Sequence, residues 1–321
     1  MTAASVSVVV PAYNAELYVA ETLEAILSQT RPPDEVIVVD DGSTDGTPDE
    51  LARFRGQIRV VRQANQGTAG ALTTGFELAR CTYVAGCAAD DVWDTTKLER
   101  QVAALVAHPE IDIAFTGARV FGAVDRPFAE YVGGTPPPQG LVADRRSFAQ
   151  SLYRANMFCA SSCLVRLSLQ RRLGPFAELT EDYDFWLRAL RAGAVFFYDP
   201  AELVRYRRHD TNVSLNASGM YEATHSVHKR YKDVVGSPLF VRKVLAADHF
   251  HLAMAYLAEN RTASARRSIR ASLLQWPRVQ TVGWAALLLA PARYRDSLLR
   301  RLRRARGSVS RRGTTPSLGD T

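Results

Sequence analysis

Residues 35–46 read Glu35-Val-Ile-Val-Val-Asp40 followed directly by Asp41-Gly-Ser-Thr-Asp-Gly46. Four β-branched apolar residues in a row, without alternation, are typical of a strand that is buried on both faces. The Gly, Ser, Thr and Asp residues that follow form turns, so the strand is predicted to end at Asp40, with a short helix at about 47–55. A strand of this kind belongs inside a parallel sheet that is covered by helices.

The same alternation of strand and helix extends through the first 120 residues. Pro11 is predicted to end the first strand, because proline has no N–H to donate to a central ladder. Further elements are buried strands at Val6–Val10, Ile58–Val61, Tyr83–Cys87 and from Ile111, and amphipathic helices at 15–29, 68–80 and 95–107. Strands separated by helices pair in parallel with right-handed crossovers, which predicts a doubly wound, Rossmann-like α/β sheet flanked by helices.

After residue 120 the sequence pattern changes, first to a Gly/Pro-rich insertion followed by mixed strands and helices, and then to a helical region. A Gly/Pro-rich insertion at 122–147 is predicted to be a loop over the ligand crevice. Predicted after it are a strand at 162–166, a helix at about 181–192 and two short strands near 195–198 and 203–207. From about 217 the pattern is helical, including helices at 263–276 and 281–306, and the tail at 307–321 is predicted to be disordered.

The composition excludes several classes of protein. With 47% hydrophobic and 23% charged residues among 321, the chain is neither collagen-like nor wholly disordered. The four cysteines match neither a zinc pair nor a redox motif, so we expect buried or free thiols in a reducing cytoplasm. The N-terminus lacks a signal-peptide pattern, and the apolar run Val282–Ala290 has only nine residues. We therefore expect a cytoplasmic protein that is soluble or bound to a surface.

The net charge of +7 is unevenly distributed along the chain. Fourteen arginines and two acids follow residue 260, a net charge of +12 that leaves −5 for residues 1–260. A nucleic-acid enzyme would carry its basic face on the folded core, so no nucleic-acid partner is expected. The Arg-rich helices are either a solvated surface packed on the body or an interfacial segment drawn to an anionic membrane, at about 1 kcal/mol per arginine.

Open α/β sheets bind ligands at the carboxyl ends of their strands. In this sequence the predicted strands are followed there by polar side chains: Tyr13, Asp41, Asn65, Asp90 and Asp91. Tyr13 can stack on a nucleotide base, and Asp41 can accept hydrogen bonds from a base or a ribose. The alternative is turn chemistry alone, since Asp-Gly-Ser-Thr is a common exit from a strand. No Gly-x-Gly-x-x-Gly follows the first strand, which argues against an NAD-type dinucleotide.

Two acidic pairs and one histidine are candidates for the chemistry. The adjacent carboxylates of Asp90 and Asp91 repel each other and are best tolerated beside Mg²⁺ or Mn²⁺ bridging to a diphosphate. Glu181 and Asp182 start a predicted helix, where they either interact with the helix dipole alone or make Asp182 a general base. His209, in an Arg-rich run after a strand, can reach a diphosphate or a metal.

Taken together and in this order, these segments resemble the family 2 glycosyltransferases of the GT-A fold. The matching segments, within about residues 5–215, are Val8-Val-Val-Pro-Ala-Tyr-Asn14, Val36-Ile-Val-Val-Asp-Asp-Gly-Ser-Thr-Asp-Gly46, Asn65-Gln-Gly67, Ala89-Asp-Asp-Val-Trp-Asp94, and Glu181-Asp182 with Asp184-Phe-Trp-Leu-Arg188. The resemblance implies an inverting transferase that moves a sugar from a nucleotide-diphosphate sugar, a UDP-sugar being favoured, to an acceptor hydroxyl with Mn²⁺ or Mg²⁺. It also implies an acceptor that is a cell-surface polysaccharide or a lipid-linked glycan, handled at the inner face of the cell membrane.

The resemblance further implies domain boundaries and roles for individual residues. Residues 1–215 would be the GT-A domain, with the nucleotide-binding half at 1–120 and the acceptor side at 121–215, followed by a helical region at 216–306. The implied donor-binding residues are Pro11, Tyr13, Asp41, Asn65 and Asp90, the metal ligands are Asp91 and His209, and the catalytic base is Asp182. In this assignment Tyr13 and Asp41 hold the base, and Asp90 holds the ribose.

Two positions depart from the family pattern. Ala88 stands where many relatives carry a further acid, which leaves fewer ligands for a metal. Leu72 stands where relatives often have arginine, and it cannot contact an anion. These departures motivate an alternative, a non-catalytic nucleotide-sugar-binding protein. A nucleotidyltransferase is disfavoured, because Pro11-Ala-Tyr-Asn14 is not a Gly-rich phosphate loop.

Overall fold

The structure, a computed structural model, describes residues 4–177, 180–210, 212, 216–277 and 279–289. These residues form two compact units, one ending at His209 and the other beginning at Asp210. The strands of the first unit are β1 (Val6–Ala12), β2 (Glu35–Asp40), β3 (Arg59–Arg62), β4 (Tyr83–Gly86), β5 (Val92–Trp93), β6 (Ile113–Gly122), β7 (Arg126–Pro127), β8 (Gly140–Leu141), β9 (Cys163–Arg166) and β10 (Phe196–Arg208). Its helices are α1 (Val19–Leu27), α2 (Thr47–Ala52), α3 (Gly67–Leu78), α4 (Lys97–Ala107), α5 (Phe128–Tyr131), α6 (Arg145–Arg154), α7 (Leu167–Leu173) and α8 (Glu181–Arg191), with a 3-10 turn at Ala160–Ser162.

One mixed sheet organises the first unit, in the order β3-β2-β1-β4-β9-β6-β10-β5. Strands β3, β2, β1 and β4 are parallel, as are β6 and β10, whereas β9 runs antiparallel to both of its neighbours. This confirms the predicted α/β fold with a mostly parallel central sheet. The carboxyl ends of β1 to β4 lie at one edge, so the residues that follow them share one surface.

The β-branched run of β2 is buried, as its sequence predicts. Ile37 and Val38 of β2 and Val9 of β1 have no exposed surface. Helix α3 packs over these two strands through Gly75, where a Cβ atom would lie 2.2 Å from Cγ1 of Val9. Because any larger residue would overlap the strand, this glycine sets the distance between helix and sheet.

The first strand is longer than predicted. Pro11 does not end β1, because it pairs with Val39 of β2 and the strand continues to Ala12. On the other side, pairing with β4 stops at Val9, whose carbonyl accepts the N–H of Cys87 at 2.9 Å. The backbone groups of residues two apart in a strand point toward the same neighbouring strand, so Pro11, like Val9, faces β4. Because pairing with β4 has already ended at Val9, the missing N–H of Pro11 costs no hydrogen bond in the sheet.

Two other segments differ from the prediction. The insertion at 122–147 is not a plain loop, because β7, α5, β8 and the start of α6 fall within it. The two strands predicted near 195–198 and 203–207 are one strand, β10, whose register with β6 is interrupted between Asp199 and Val204. A bulge of this kind places extra residues on β10, while the parts of β10 before and after it stay paired with β6. Helix ends shift by a few residues, as in α1, which is shorter than the predicted 15–29.

The second unit is helical in its described part. It contains α9 (Ala217–Arg230), α10 (Pro238–Ala258), α11 (Thr262–Gln275) and α12 (Val279–Leu289), and Ala253, Ala265 and Leu288 belong to its apolar core. These helices confirm the helical pattern predicted from 217 and the helix at 263–276. The helix predicted at 281–306 is described only to Leu289, and the predicted tail at 307–321 lies outside the described residues. None of the helices in the described ranges is long and apolar enough to cross a membrane.

Candidate active site

The loop after β1 is joined to the loop after β2 by hydrogen bonds of Asn14. Its backbone N–H donates to Oγ of Ser43 at 3.0 Å, and its Oδ1 accepts the N–H of Thr44 at 2.9 Å. Asn14 has a φ of 49°, a left-handed conformation that asparagine tolerates better than most residues. Tyr13 stays 52% exposed at this strand end, so its ring is accessible to a ligand.

The loops after β2 and β3 are joined by Asp41, which is buried. Its Oδ1 accepts Nε2 of Gln63 at 2.7 Å and the N–H of Gln66 at 3.0 Å. Gly42 has a φ of 80°, and a Cβ atom there would lie 3.1 Å from the backbone nitrogen of Asn65. The Asp-Gly pair therefore brings the two loops into close contact, with Asn65 exposed beside them.

The turn after β4 is held from three directions. Asp91 closes it by donating its N–H to the carbonyl of Ala88 at 3.1 Å. The carboxylate of Asp91 accepts the hydroxyl of Ser161 at 2.5 Å and the N–H of Arg207 at 3.0 Å. The hydroxyl of Thr22 on α1 contacts the carbonyl of Asp91 at 2.9 Å. Asp91 is thus a fixed, internal part of the turn.

The charge of Asp91 is unfavourable in this position. The side chain is 1% exposed, and burial together with the negative charge of Asp90 raises the pKa of Asp91 to about 8. Donors from Ser161 and Arg207 oppose this shift but do not cancel it. A cation beside the pair would favour both ionised carboxylates.

The accessible member of the acidic pair is Asp90. Its Oδ2 lies 2.9 Å from Nε2 of His209, and the two side chains keep 24% and 18% of their surface exposed. The imidazole of His209 stacks on the ring of Tyr18 at 4.7 Å between centroids. Arg207 donates Nε to the carbonyl of Asp90 at 2.8 Å and also pairs with Glu21. Contacts of Arg207 and His209 with Asp90 therefore hold the end of β10 against the turn after β4.

The donor set at this point fits a divalent cation with few protein ligands. In the described residues no group of three or more His, Cys, Asp or Glu side chains converges to hold a metal. Asp90 and His209 converge as an oxygen and a nitrogen donor. Mg²⁺ and similar cations at phosphate sites commonly take one or two protein ligands and complete their shell with phosphate oxygens and water.

Asp182 lies in the first turn of α8, in a partly apolar environment. Its Oδ1 accepts Nδ2 of Asn156 at 3.0 Å and the N–H of Tyr183 at 2.6 Å. A small pocket that it shares is otherwise lined by apolar side chains, among them Leu72 and Trp186. Burial raises the pKa of Asp182, and burial with the charge of Asp182 raises the pKa of Glu181 to about 7.

Thr180, directly before α8, is a residue type that often caps a helix, but here it does not. Thr180 precedes the helix with a φ of 55°, and its side chain makes no capping hydrogen bond. Its hydroxyl is instead buried without a hydrogen-bond partner. Asp182 therefore depends on Asn156 and on backbone groups for its orientation.

The turn at Ala160–Ser162 brings the two carboxylate sites together. Ala160 and Asp182 line the same small pocket, and the hydroxyl of Ser161 donates to Asp91 at 2.5 Å. Because consecutive Cα atoms are about 3.8 Å apart, the two acids approach the same short segment. Asp41, which follows β2, is tied instead to the loop after β3.

Three residues that hold the site were missed from the sequence. Ser161 and Thr22 are small hydroxyl residues inside apolar stretches, where nothing in the sequence separates them from ordinary core positions. Arg207 lies in the basic run around His209, and only that clustering pointed to it. Their partners are 70, 69 and 116 residues away along the chain.

The sheet, with acidic side chains after its parallel strands, defines an α/β protein of the GT-A type. Residues 1–349 of S. aureus TarS, in complex with UDP-GlcNAc, superpose with a TM-score of 0.62 at 17% identity, over 88% of this chain and 86% of that TarS fragment. The mannosyltransferase PcManGT from Pyrobaculum calidifontis, in complex with GDP-Man and Mn²⁺, has a TM-score of 0.55 at 21% identity, over 91% of this chain and 82% of its own.

The sequence comparison identifies the family within this class. The Glycosyl transferase family 2 model matches residues 7–161. The putative teichuronic acid biosynthesis glycosyltransferase TuaG of Bacillus subtilis is 30% identical over 215 residues, which are 66% of this chain and 82% of TuaG. The putative glycosyltransferase EpsE of the same organism is 31% identical over 59% of this chain and 67% of its own. This chain belongs to glycosyl transferase family 2 and is a glycosyltransferase.

The raised pKa of Asp182 predicts a specific dependence of stability on pH. A carboxyl whose pKa is raised by folding stabilises the fold at low pH, and this contribution is lost as pH rises through the folded-state pKa. Asp182→Asn removes the ionisation and keeps the acceptor oxygen for Asn156 and Tyr183. Its melting temperature relative to wild type should therefore be higher at pH 8 than at pH 5, as measured by differential scanning fluorimetry.

Asp94 provides a control of opposite sign. Hydrogen bonds from Thr96 lower the pKa of Asp94, so its charge stabilises the fold at neutral pH. Asp94→Asn should lose stability relative to wild type as pH rises from below the lowered pKa of Asp94 through the ordinary value of 3.8, and the deficit should then persist to pH 7. A parallel response of the two variants would contradict the assignment of a buried charge to Asp182.

Proposed function

We propose that this chain is an inverting glycosyltransferase that moves a sugar from a nucleotide-diphosphate sugar to an acceptor hydroxyl. The observation that carries the proposal is the position of two consecutive residues: Ala160 lines a pocket with Asp182, and Ser161 donates a hydrogen bond to Asp91. A base near the acceptor and a charge-stabilising site at the diphosphate are the two requirements of a direct displacement. One displacement inverts the anomeric centre.

We assign the donor to the loops after β1 to β4. In this assignment Tyr13 stacks on the base, and Asp41 and Asn65 hold the nucleoside, with Pro11 placing the end of β1. The exposure of Tyr13 and the joined loops after β1, β2 and β3 support it. The structural neighbours were solved in complex with UDP-GlcNAc, UDP or GDP-Man, which supports a nucleotide-sugar donor, and a UDP-sugar is the one we favour.

We assign Mn²⁺ or Mg²⁺ to the turn after β4. The sequence predicts Asp91 and His209 as its ligands, but Ser161 and Arg207 already donate to both oxygens of Asp91. We therefore assign the direct contacts to Asp90 and His209, with Asp91 fixing the turn behind them. When bound, the cation neutralises the charge that develops on the departing diphosphate.

We assign the acceptor proton to Asp182. Its burial makes this carboxylate a stronger proton acceptor than an exposed one, and Asn156 keeps one oxygen in place. A general base of this kind must be ionised when the acceptor binds and protonated after the sugar has moved. The raised pKa brings these two states closer in free energy.

The acceptor that we favour is a cell-surface polysaccharide or a lipid-linked glycan. The relative TuaG is a putative glycosyltransferase of teichuronic acid biosynthesis, which supports an acceptor of the polysaccharide type. A lipid-linked acceptor lies at a membrane, and α11 presents Arg267, Arg270 and Leu274 on its exposed side, with Leu274 83% exposed. Positions three and four apart share one face of a helix, so this side combines positive charge with an apolar side chain.

Substitution of the proposed base tests the function directly. Asp182→Asn should reduce sugar transfer by about 10²- to 10⁴-fold, the usual contribution of a general base, and leave donor binding nearly intact. Glu181→Gln, at the neighbouring carboxylate, should lose much less activity. Nucleotide release measures transfer, and a thermal-shift panel of nucleotide sugars with Mn²⁺ measures binding.

Two outcomes of this experiment speak against the proposal. Wild-type turnover by Asp182→Asn would refute the role of Asp182. A wild-type chain that binds a nucleotide sugar but neither transfers nor slowly hydrolyses it, across many acceptors, would support the alternative of a non-catalytic nucleotide-sugar-binding protein.

The metal assignment predicts a loss of divalent-cation affinity in two variants. Asp90→Asn and His209→Ala should each raise the Mn²⁺ concentration needed for half-maximal nucleotide binding by about 10-fold or more, because each removes one of two protein donors. His108→Ala is the matched control, since His108 lies at an exposed position beside Glu110. Isothermal titration with UDP and GDP at stepped Mn²⁺ gives the values, and equal curves for all three variants would reject the site.

The membrane assignment predicts binding that depends on the arginines. A chain ending at Leu289 keeps α12 but lacks nine arginines, so it should no longer sediment with anionic vesicles. The full chain with Arg267→Glu and Arg270→Glu should bind more weakly, at about 1 kcal/mol per lost arginine before the effect of the added acids. Neutral vesicles are the control, and undiminished sedimentation of both variants would exclude this surface.

A further inference from the structure

Ser161 lies between the two strongly perturbed acids of the site. Its side chain is 1% exposed, and its Oγ accepts the N–H of Ala88 at 3.0 Å while donating to Oδ2 of Asp91 at 2.5 Å. Ala88 and Asp91 are the two ends of the turn that carries Asp90. One hydroxyl group therefore closes this turn from the side of the 3-10 turn at Ala160–Ser162.

The same segment also contacts the acceptor side. Ala160 lines a pocket with Asp182, whose carboxylate accepts a hydrogen bond from Asn156. Cys159, the preceding residue, has a raised pKa because of burial and then because of the charges of Asp91 and Asp182. Each of these three consecutive residues thus lies near one or both of the acids.

Loss of the Ser161 hydroxyl would change the balance of donors around Asp91. The carboxylate would keep the N–H of Arg207 but lose its shortest hydrogen bond, and the N–H of Ala88 would lose its acceptor. A buried polar group that loses its hydrogen-bond partner is destabilised unless it moves toward another partner or toward water. Such a movement of Asp91 or Ala88 alters the turn on which Asp90 sits.

We propose that Ser161 is a positioning residue for the transfer reaction, holding the turn of Asp90 for the donor and, through its peptide bond with Ala160, coupling that turn to Asp182. This inference rests on the proposed function. In this proposal Ser161 and Ala160 do more than fill space in the core. It also predicts that donor-site and base-site properties change together.

Ser162 offers a matched control one residue away. It is as buried as Ser161, and its hydroxyl donates to the carbonyl of Cys159 at 2.8 Å, with no carboxylate as partner. Ser161→Ala and Ser162→Ala remove the same atoms from the same turn. A purely structural role would give the two variants similar properties.

The experiment compares Ser161→Ala, Ser161→Thr and Ser162→Ala in the full chain. Isothermal titration with UDP and GDP in Mn²⁺ should show affinity weakened about 10- to 100-fold in Ser161→Ala, the usual effect of losing a residue that supports a ligand. Ser162→Ala should stay near wild type, and Ser161→Thr, which keeps a hydroxyl, should recover most of the affinity. Steady-state kinetics should show kcat falling as well as KM for the donor rising in Ser161→Ala.

Every other result of this experiment would contradict a specific part of the proposal. Equal affinities for Ser161→Ala and Ser162→Ala would overturn the positioning role, as would a Ser161→Ala chain that fails to fold while Ser162→Ala folds. A raised donor KM with unchanged kcat would overturn the coupling to Asp182. A wild-type chain that binds neither nucleotide refutes the proposed function itself, which separates that failure from this one.

Discussion

The burial of Asp91 beside the second carboxylate of Asp90, at the end of β4, is the constraint on which the rest of the site depends. A buried carboxylate costs several kcal/mol unless donors surround it, and the second charge beside it adds to that cost. The donors come from Ser161 before β9 and from Arg207 at the end of β10. The strand order β4-β9-β6-β10 is what brings these distant segments to one place.

The site as a whole trades stability for chemistry. Asp91, Glu181 and Asp182 all have raised pKa values, with burial as the largest cause in each case. Groups placed this way lower the free energy of unfolding at neutral pH, and carboxylates perturbed by burial are common at functional sites. The donors around Asp91 limit this loss of stability without removing it.

Much of the fold and part of the site follow from local sequence. The strands β1 to β4 are short β-branched runs between turn residues, and the rule for open sheets places Tyr13, Asp41 and Asp90 at one edge. The continuity of β10 could not be predicted, because it depends on pairing with β6 rather than on its own residues. The contact of Asp90 with His209 joins residues 119 apart, and no local pattern encodes it.

Pro11 has a consequence for the mouth of the crevice. β1 and β4 pair only as far as Val9, and the next position of β1 that faces β4 is this proline, which carries no hydrogen to offer. The ladder between β1 and β4 therefore cannot continue past this point, and β4 leads directly into the turn that carries Asp90 and Asp91. A single imino acid thus ends the pairing of two neighbouring strands just before the acidic turn.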